Sequence, residues 1–590
     1  MPTLNWIGKE AVINHHLEVP FHLLKDVPEL ACGDPGSGNL IVEGDNLVAL
    51  KALLPHYAGK VKCIYIDPPY NTGNEGWAYN DNVNSPAIKK WLGETVGKEG
   101  MTLDRHDRWL CMLYPRLELL KEFLRKDGAI FVSIDDNEVG NLQALMREIF
   151  GSANEVATIV WEKGKKGDSK LVAVTHEYIV AFARDKALLK QLGIKWRRRK
   201  PGIDDVLEYY QELRKQHQED PKGQRKPKME QYEAHHQAIR KEMMKWFRGL
   251  KKGDPRKAHK HYNWSDNRGL YFPDNFHGPD DGRESRPRYR IEHPVTGEAC
   301  AVPSTGWRWE EDTTTKALAE DPPRIHFGKN HTTIPNRKSY LFEIDEEPML
   351  SVFYTDGRAA TLEVESILGA GAFEFPKDSE VIADLIGMVT KPGDIVLDSF
   401  GGSGTTAHAV LKRNKHLKGD LRFVLIELDE TVATQKTRVR VQRAAEGYTP
   451  LAGKSRVGVE GIGGGFRYVR LGDAMFDEHG RINEPKVRFA DLARHVYFSE
   501  TGEPLPKERI SAKTPMLGVH HGRAVYLLYN GILKDKSVDG GNVLTTATLE
   551  HLPAHDGPKV VYAAGCRFSK ARLEREGITF KQTPYAIRTR

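Results

Sequence analysis

Val61-Lys-Cys-Ile-Tyr-Ile-Asp67-Pro68-Pro69-Tyr70-Asn71 is the stretch that decides the fold. Its apolar, β-branched first half predicts a buried strand, which stops abruptly at Asp67. Two consecutive prolines cannot continue a strand ladder or begin an ordinary helix at this position. The chain therefore leaves the sheet in a stiff turn at the carboxyl end of the strand, where open α/β sheets bind ligands. Taken alone, the turn is equally compatible with a solvated aspartate that has no ligand.

A second stretch, Ile395-Val-Leu-Asp398-Ser-Phe400-Gly-Gly402-Ser-Gly404-Thr-Thr, follows the same plan. It predicts another buried strand, which ends in an acid and continues through a glycine-rich turn into a helix. Glycines let a backbone approach a ligand closely, and a helix amino terminus offers unpaired N–H groups. The turn is not a phosphate-binding P-loop, because that pattern requires Lys directly after its last glycine. Its glycine spacing also differs from that of the dinucleotide-binding fingerprint.

The two motifs together resemble the amino-methylating DNA methyltransferases that use S-adenosylmethionine. The pattern Asp-x-Phe-x-Gly-x-Gly begins at Asp398, and the Asp-Pro-Pro-Tyr turn precedes it by a long segment. This order is similar to that of the permuted beta group of these enzymes. More narrowly, residues 44–47, 67–73 and 400–408 resemble the modification subunits of type III restriction–modification systems. The resemblance is close over residues 38–185 and 370–430.

The resemblance implies a doubly wound, Rossmann-like α/β sheet with circularly permuted motifs, an inserted DNA-recognition domain and a small C-terminal α/β domain. Several domains are also expected from the length of 590 residues, since single cores stop growing near ~250–300 residues. We expect residues 1–185 to form the first half of the methyltransferase domain and residues 346–475 its second half. Residues 186–345 would form the basic recognition domain, and residues 476–590 a small domain that by resemblance serves subunit association.

The resemblance also implies a binding pocket for S-adenosyl-L-methionine. Glu427 ends the strand predicted after the glycine-rich turn, and an acid in that place holds ribose hydroxyls in sheets of this kind. Asp429 is the alternative ligand, although its position favours a helix cap. Asp45 is likewise predicted to cap a helix, and the resemblance adds a place beside the adenine of the cofactor. The expected cofactor-binding residues are Asp45, Asn46, Lys377, Asp398, Phe400, Gly402, Ser403, Gly404, Thr405 and Glu427.

The turn at residues 67–70 has the chemistry to activate a base amine. The lone pair of such an amine is delocalised into the ring, and acceptors for both N–H bonds draw it out of conjugation. The carboxylate of Asp67 and the carbonyl of Pro68, fixed by Pro69, are two such acceptors. A base inside a duplex must be flipped out, and Tyr70 is placed to stack on it. Asp67, Pro68, Pro69 and Tyr70 are therefore the expected catalytic residues, and no metal is required.

Adenine N6 and cytosine N4 are both exocyclic amines, so the acceptor argument does not separate them. By resemblance, Asp at position 67 points to adenine, since cytosine-N4 enzymes of this group usually begin the motif with Ser. RNA and protein-glutamine methyltransferases carry Asn in place of Asp67 and lack a large basic insert. Cytosine-N4 methylation and a DNA-recognition subunit without catalysis stay open as alternatives.

Basic charge is concentrated in one part of the chain. Residues 186–268 contain 23 Lys and Arg against 11 Asp and Glu, whereas the whole chain has a net charge of only +6. Such concentration is what neutralisation of DNA phosphates requires. Arg197, Arg198 and Arg199 are the expected DNA-binding residues, with double-stranded DNA as the partner. The alternative is a solvated, lysine-rich helical face.

The cysteine spacing and the apolar runs indicate the cellular compartment. The five cysteines show no C-x-x-C spacing, which argues against disulfides and zinc sites and favours a reducing cytoplasm. The chain contains no apolar run long enough to cross a bilayer and no signal-peptide pattern at its start. By resemblance, the other partners are a second copy of the chain and a separate restriction subunit. DNA cleavage and ATP hydrolysis are not expected of this chain alone, because it has no P-loop.

Local patterns predict the elements around the motifs. Residues 1–38 are predicted to be irregular, and residues 71–81 to form a loop over the active site. A helix is predicted over 105–126, ended by Gly128 and kinked or started late by Pro115. The run Asp-Asp-Asn-Glu at 135–138 predicts a helix cap in preference to a metal site.

Overall fold

The structure is a computed structural model of the 590-residue chain. It describes every residue except 1–3, 73–104, 165–170, 218–228, 281–285, 418, 454–456, 478, 484–485, 507–508, 512–513, 530–540 and 584–590. Most of the loop predicted at 71–81 lies outside the described residues. The chain divides into two compact units, one formed by residues 1–196 with 350–590 and the other by residues 197–349.

The strands of the described residues fall into six sheets and are numbered in chain order. They are β1 (His22–Asp26), β2 (Leu40–Glu43), β3 (Val61–Ile66), β4 (Leu124–Ile134), β5 (Glu155–Glu162), β6 (His176–Ala183), β7 (Arg198–Arg199), β8 (Trp264–Ser265), β9 (Leu270–Asp274), β10 (Ile325–His326), β11 (Asn336–Tyr340), β12 (Glu346–Glu347), β13 (Val352–Tyr354), β14 (Ile395–Asp398), β15 (Arg422–Glu427), β16 (Gly447–Tyr448), β17 (Val459–Glu460), β18 (Arg467–Ala474), β19 (Met516–His520), β20 (Arg523–Leu527), β21 (Val543–Leu544), β22 (Lys559–Ala563), β23 (Gly565–Cys566) and β24 (Ile578–Gln582).

The α-helices are named by their bounds. They span Lys9–Val12, His15–Glu18, Asn46–Tyr57, Arg105–Phe123, Val139–Phe150, Lys186–Gln191, Ile203–Gln216, Met229–Gly249, Glu311–Ala319, Gly357–Leu368, Ser379–Val389, Thr405–Leu417, Glu430–Val432, Arg438–Glu446, Phe489–Thr501, Thr546–Glu550 and Lys570–Arg575. A π-helical turn, Ala433–Thr437, joins two of them into one continuous helix from residue 430 to 446.

The first unit is built on a ten-stranded sheet in the order β1-β18-β2-β15-β14-β3-β4-β6-β5-β13. Six central strands, from β18 to β4, are mutually parallel. Strands β2, β3 and β14 are buried along their whole length, as expected for parallel strands covered on both faces. The predicted doubly wound α/β sheet with permuted motif order is confirmed, because β3 precedes β14 in the chain and lies beside it.

Two local predictions around this sheet are wrong, and so is a late helix start at Pro115; a kink at that proline stays a prediction. Residues 1–38 contain two short helices and the edge strand β1, whose partner β18 lies far along the chain. The helix predicted to end at Gly128 ends at Phe123, and Gly128 lies inside β4. A Cβ at Gly128 would come within 3.0 Å of the Lys62 carbonyl oxygen, so the glycine allows close strand packing. The helix runs unbroken through Pro115, since its extensive burial outweighs a local cost of ~3 kcal/mol.

A second sheet near the C-terminus has the order β19-β20-β22-β24. Its β19–β20 hairpin and the strand–helix–strand unit of β22 and β24 agree with the α/β character expected there. The Phe489–Thr501 helix packs on it through a separate hydrophobic core. Among the described residues, none of the helices combines the length and the apolar character that a membrane span needs.

The second unit, residues 197–349, has its own core. An antiparallel sheet in the order β10-β11-β9-β8 accompanies three helices, and β7 pairs with β12. The Ile203–Gln216 and Met229–Gly249 helices bury a shared apolar cluster that includes Tyr210 and Met243. The bounds of this unit lie close to the segment 186–345, for which DNA recognition stays a prediction.

Candidate active site

The predicted site residues come together at one edge of the main sheet. Strands β3 and β14 are adjacent and parallel, with Ile64 opposite Leu397, so Asp67 and Asp398 leave the sheet side by side. Next to β14 lies β15, which ends at Glu427, and next to β15 lies β2, which leads into Asp45. The carboxyl ends of four neighbouring strands thus carry both motifs, although about 330 residues of sequence separate them.

Buried side chains hold the Asp-Pro-Pro-Tyr turn. The indole Nε1 of Trp109, a fully buried residue, donates a hydrogen bond of 2.7 Å to the Pro69 carbonyl oxygen. Asn71 adopts a left-handed backbone with φ of 58° and donates its side-chain amide to the Glu138 carboxylate. Glu138 also accepts from Asn141 at 2.8 Å and lies 2.6 Å from His106 Nδ1.

Glu138 therefore corrects one prediction from the sequence. The run 135–138 was expected to cap the following helix, but the Glu138 carboxylate makes no capping hydrogen bond to that helix. Instead, its buried carboxylate fixes the end of the Asp-Pro-Pro-Tyr turn. The sequence shows an acid just after a buried strand, but it does not show that this acid binds Asn71, which is 67 residues away.

Asp67 has two different oxygen environments. Oδ2 lies 2.8 Å from the ammonium of Lys377, whose side chain is only 8% exposed. Oδ1 is buried and makes no hydrogen bond within the described part of the chain. Burial lowers the pKa of Lys377, but the charges of Asp67 and Glu177 outweigh it and raise the pKa above its ordinary value. The Lys377 ammonium also lies over the ring of Tyr70, 4.7 Å from its centroid.

Two further charged residues, Glu177 on β6 and Lys163 after β5, complete this cluster. Glu177 Oε1 lies 2.6 Å from Lys163 Nζ, and Oε2 accepts from the Tyr70 hydroxyl at 3.3 Å. Oε2 is also 3.8 Å from Lys377 Nζ. Burial, together with the negative charges of Asp67 and Glu177, raises the pKa of Tyr70 well above its usual value. Sequence reasoning missed both residues, although an acid at the start of an otherwise apolar strand was an available signal.

The glycine-rich turn is ordered by two buried acids. Asp398 accepts hydrogen bonds from Phe400 N at 2.9 Å and from Thr406 Oγ1 at 2.5 Å. Burial raises the pKa of Asp398 to about 8. Glu427 Oε2 accepts from Gly402 N at 2.6 Å. The φ angles of Gly402 and Gly404, 49° and 80°, lie in the left-handed region that favours glycine.

A buried arginine also holds the glycine-rich turn in place. Arg440, which is 0% exposed, donates to Ser403 Oγ at 2.8 Å and to Thr405 Oγ1 at 2.9 Å. Its other end binds Glu363 at 2.9 Å. Burial works to raise the pKa of Glu363, but nearby cations, Arg440 among them, outweigh it and lower the pKa to about 2. The π-helical turn places Thr437 Oγ1 2.6 Å from the Gly402 carbonyl oxygen.

Sequence reasoning also missed this support. Residues 438–443 contain three arginines, and charged side chains on a helix are usually solvated. Nothing in that pattern distinguishes the buried Arg440 from its neighbours.

Asp45 and Asn46 lie at the start of the Asn46–Tyr57 helix. Asp45 Oδ1 caps the helix by accepting from Val48 N at 2.8 Å, as predicted. Its Oδ2 is buried without a hydrogen bond from any described residue and lies 3.5 Å from the Arg116 guanidinium. Asn46 is fully buried and donates to the Ser399 carbonyl oxygen at 3.1 Å. This contact ties the helix directly to the glycine-rich turn.

The three arginines predicted to bind DNA belong to the second unit. Arg198 pairs with Glu347 at 2.9 Å. Arg199 pairs with Asp345 and Asp204, each at 2.7 Å. The contact of Arg198 with Glu347 joins β7 to β12, and both guanidinium groups already have carboxylate partners. Arg197 is half-buried at the start of the unit.

Comparison with known proteins finds Mod subunits of type III restriction-modification enzymes among the relatives of this chain. The Mod subunit of the type III restriction-modification enzyme EcoP15I from Escherichia coli is 33% identical over 455 residues, which are 72% of this chain and 64% of that protein. The EcoPI Mod subunit of Escherichia phage P1 is 32% identical over 459 residues, 74% of this chain and 64% of that protein. The chain thus spans less than two thirds of the length of these relatives.

A shorter relative is matched over more of its length. The type II methyltransferase M.KpnI from Klebsiella pneumoniae is 27% identical over 449 residues, which are 73% of this chain and 89% of that protein. A family model described as DNA methylase matches residues 61–437, well over half of the chain. This match extends from β3 through β15 and includes both turns of the site. The chain belongs to the DNA methylase family.

Proposed function

We propose that the chain is a site-specific DNA methyltransferase that transfers a methyl group from S-adenosyl-L-methionine to the N6 amine of adenine in double-stranded DNA. The position of Asp67 beside the glycine-rich turn, on adjacent parallel strands, carries the proposal. An acceptor for an amine and a turn suited to a small ligand lie side by side, as transfer between two bound molecules requires. Family membership and the Mod subunits among the relatives support it.

The residues at this edge fit the chemical groups of S-adenosylmethionine. Asp45 Oδ2, a buried oxygen without a hydrogen bond from the described residues, suits the adenine amine. Glu427, at the end of β15, suits the ribose hydroxyls. The glycine-rich turn leads into the amino terminus of the Thr405–Leu417 helix, which suits a carboxylate. The proposed cofactor-binding residues are Asp45, Asn46, Lys377, Asp398, Phe400, Gly402, Ser403, Gly404, Thr405 and Glu427.

When bound, S-adenosylmethionine supplies an electrophilic methyl group on a positively charged sulfur. Asp67 Oδ1 accepts one N–H of the base amine, and the Pro68 carbonyl accepts the other, so that the nitrogen lone pair is withdrawn from the ring. Asp67 then stabilises the positive charge that develops on nitrogen and can hold the proton that the amine releases. Tyr70 stacks on the flipped base, and Pro69 keeps the acceptors in place through its bond to Trp109.

The choice of adenine rests on the sequence of the turn and on the relatives. Position 67 is Asp, and the first two relatives are Mod subunits of type III systems. The alternative is cytosine N4, for which the same acceptors would serve. Mass spectrometry of nucleosides from methylated DNA separates the two: we expect N6-methyladenine, and N4-methylcytosine would overturn the base assignment while leaving the catalytic residues in place.

We assign target recognition to the segment 186–345, most of which lies in the second unit. The basic charge of residues 186–268 supports this assignment, and the helix from residue 229 to 249 carries exposed side chains such as Lys245, which is 82% exposed. Arg197, Arg198 and Arg199 remain the proposed DNA-binding residues. For Arg198 and Arg199, a phosphate would have to replace the carboxylates of Glu347 and Asp345.

The proposed partners are a second copy of this chain and a separate restriction subunit that supplies cleavage. The relatives among type III Mod subunits support the second of these. All five cysteines are free, which suits a reducing compartment such as the cytoplasm. Light scattering of the purified chain, alone and with DNA, would measure the oligomeric state.

One experiment tests the function as a whole. Bacteria without other DNA methyltransferases would express this chain alone, and their genomic DNA would be sequenced for methylated bases. We expect one short sequence motif to carry N6-methyladenine throughout the genome. The Asp67→Ala variant, expressed at the same level, serves as the control and should leave that motif unmethylated. Absence of any methylated motif with the wild-type chain would refute the proposal.

A further inference from the structure

Four buried or half-buried charges surround the position that the target amine must reach. Asp67 and Glu177 provide two carboxylates, and Lys163 and Lys377 provide two ammonium groups. The cluster is electrically neutral as a whole, and a third, longer contact links its two ion pairs. Lys377 binds Asp67 at 2.8 Å and lies 3.8 Å from Glu177, whose other oxygen binds Lys163 at 2.6 Å.

Lys377 occupies part of the place that the proposed reaction needs for the base. Its ammonium holds one oxygen of Asp67 and covers one face of the Tyr70 ring. The base amine would donate to the same carboxylate and its ring would stack on the same side chain. Lys377 must therefore move off the Tyr70 face, and so away from Asp67 Oδ2, when a base stacks there. A buried ammonium that loses its nearest carboxylate is strongly destabilised, so it needs a second acceptor within reach.

Glu177 is that acceptor. Its side chain is 9% exposed, and Lys163 anchors one oxygen while the other faces Lys377 and the Tyr70 hydroxyl. A movement of about 1 Å would bring Lys377 Nζ from 3.8 Å to hydrogen-bond distance of Oε2. We propose that Glu177 is a positioning residue, which accepts the Lys377 ammonium when the target base displaces it from Asp67. The inference rests on the proposed methyltransferase function and assigns a role to a residue of the same site.

The test is a double-mutant cycle on the full chain, with DNA that contains the target sequence found by methylation sequencing. In Glu177→Gln, Lys377 has no ion pair with a described carboxylate other than Asp67. We expect kcat to fall at least tenfold at saturating cofactor, with cofactor and DNA dissociation constants within about twofold of wild type. In the Lys377→Met background no ammonium blocks Asp67, so adding Glu177→Gln should change kcat less than twofold.

Matched variants separate this role from a structural one. Glu162 follows Trp161, the residue of β5 that pairs with Glu177, and it is not one of the four charges of the cluster. Glu162→Gln removes a charge there and should behave as wild type. Glu177→Asp keeps the charge on a shorter arm and should recover most of the kcat lost in Glu177→Gln. If Glu177→Gln does not fold, Glu177→Asp with and without Lys377→Met gives the same comparison, with a smaller expected loss.

The outcomes are distinct. A loss in Glu177→Gln that disappears in the Lys377→Met background supports the inference. A kcat of Glu177→Gln within twofold of wild type overturns it, and so does an equal loss in both backgrounds. If the wild-type chain methylates no DNA, the proposed function fails before any variant is compared. If the wild type is active and the cycle shows no coupling, only the role of Glu177 fails.

Discussion

Replacement of Asp67 by alanine removes Oδ1, one of the two acceptors that the proposed mechanism uses, and leaves the Pro68 carbonyl in place. Loss of one preorganised acceptor for developing charge costs ~10²–10³-fold in rate, or about 2.7–4 kcal/mol. The fold should survive, because Lys377 retains Glu177 as an acceptor 3.8 Å away. We therefore expect kcat of Asp67→Ala to fall at least 10²-fold, with cofactor and DNA dissociation constants within about threefold of wild type.

Asp67→Asn refines the comparison, since it keeps an acceptor oxygen but loses the charge. Charge-assisted hydrogen bonds are roughly twice as strong as neutral ones, so half of the free energy should remain. This corresponds to a loss of ~10–30-fold, between wild type and Asp67→Ala. Single-turnover transfer of a radiolabelled methyl group, at saturating cofactor and DNA, measures the rate. A rate of Asp67→Ala within tenfold of wild type would refute the assignment of Asp67.

Three further predictions concern the cofactor turn and one concerns DNA. Gly402→Val places a branched side chain at φ 49° and should weaken cofactor binding at least tenfold by calorimetry; unchanged affinity would remove the turn from the pocket. Arg440→Met leaves the half-buried Glu363 carboxylate short of one partner and removes the hydrogen bonds to Ser403 and Thr405. It should cost ~1–3 kcal/mol in denaturant unfolding, whereas Arg438→Met should cost under ~1 kcal/mol. Burial raises the pKa of Asp398 to about 8, so the folded protein binds a proton that the unfolded chain releases above pH ~4. The free energy of unfolding should therefore decrease as the pH rises towards 8, and the wild type should lose stability from pH 6 to 8 relative to Asp398→Asn. Equal pH dependence of the two free energies of unfolding would contradict this. If residues 197–199 contact phosphates, their replacement by alanine should reduce the salt slope of DNA binding by ~0.9 per contact, whereas a purely structural role would leave the slope unchanged.

The main features of the fold could be predicted because they depend on short-range patterns. The β-branched, apolar runs before Asp67 and Asp398 predicted strands, and their acids mark the carboxyl ends where the site lies. The cap at Asp45 and the acid at Glu427 follow from the same local logic. Their arrangement on four neighbouring parallel strands was implied by the family resemblance and not by these local patterns.

The residues that were missed act through partners distant in sequence. Glu177 contacts the Tyr70 hydroxyl across 107 residues, and Arg440 reaches Glu363 across 77. Whether an acid on β6 faces the site depends on the antiparallel register of β4 and β6, which no local pattern specifies. Gly128 was misassigned for a related reason: a glycine that ends a helix and one that permits close strand packing look alike in sequence.

The pairing of β3 with β14 also sets the order of events during synthesis. Cys63 and Val396 are partners in the sheet, so the site cannot assemble until about 330 further residues have been made. At ~5–20 residues per second, the strand that carries Asp67 waits roughly 20–60 s on the ribosome for its neighbour. The edge pair of His22 with Ala474 forms later still. Non-local pairing of this kind slows folding and leaves apolar strands uncovered meanwhile, so synthesis rate and chaperone supply should affect the yield of this chain more than changes at its surface.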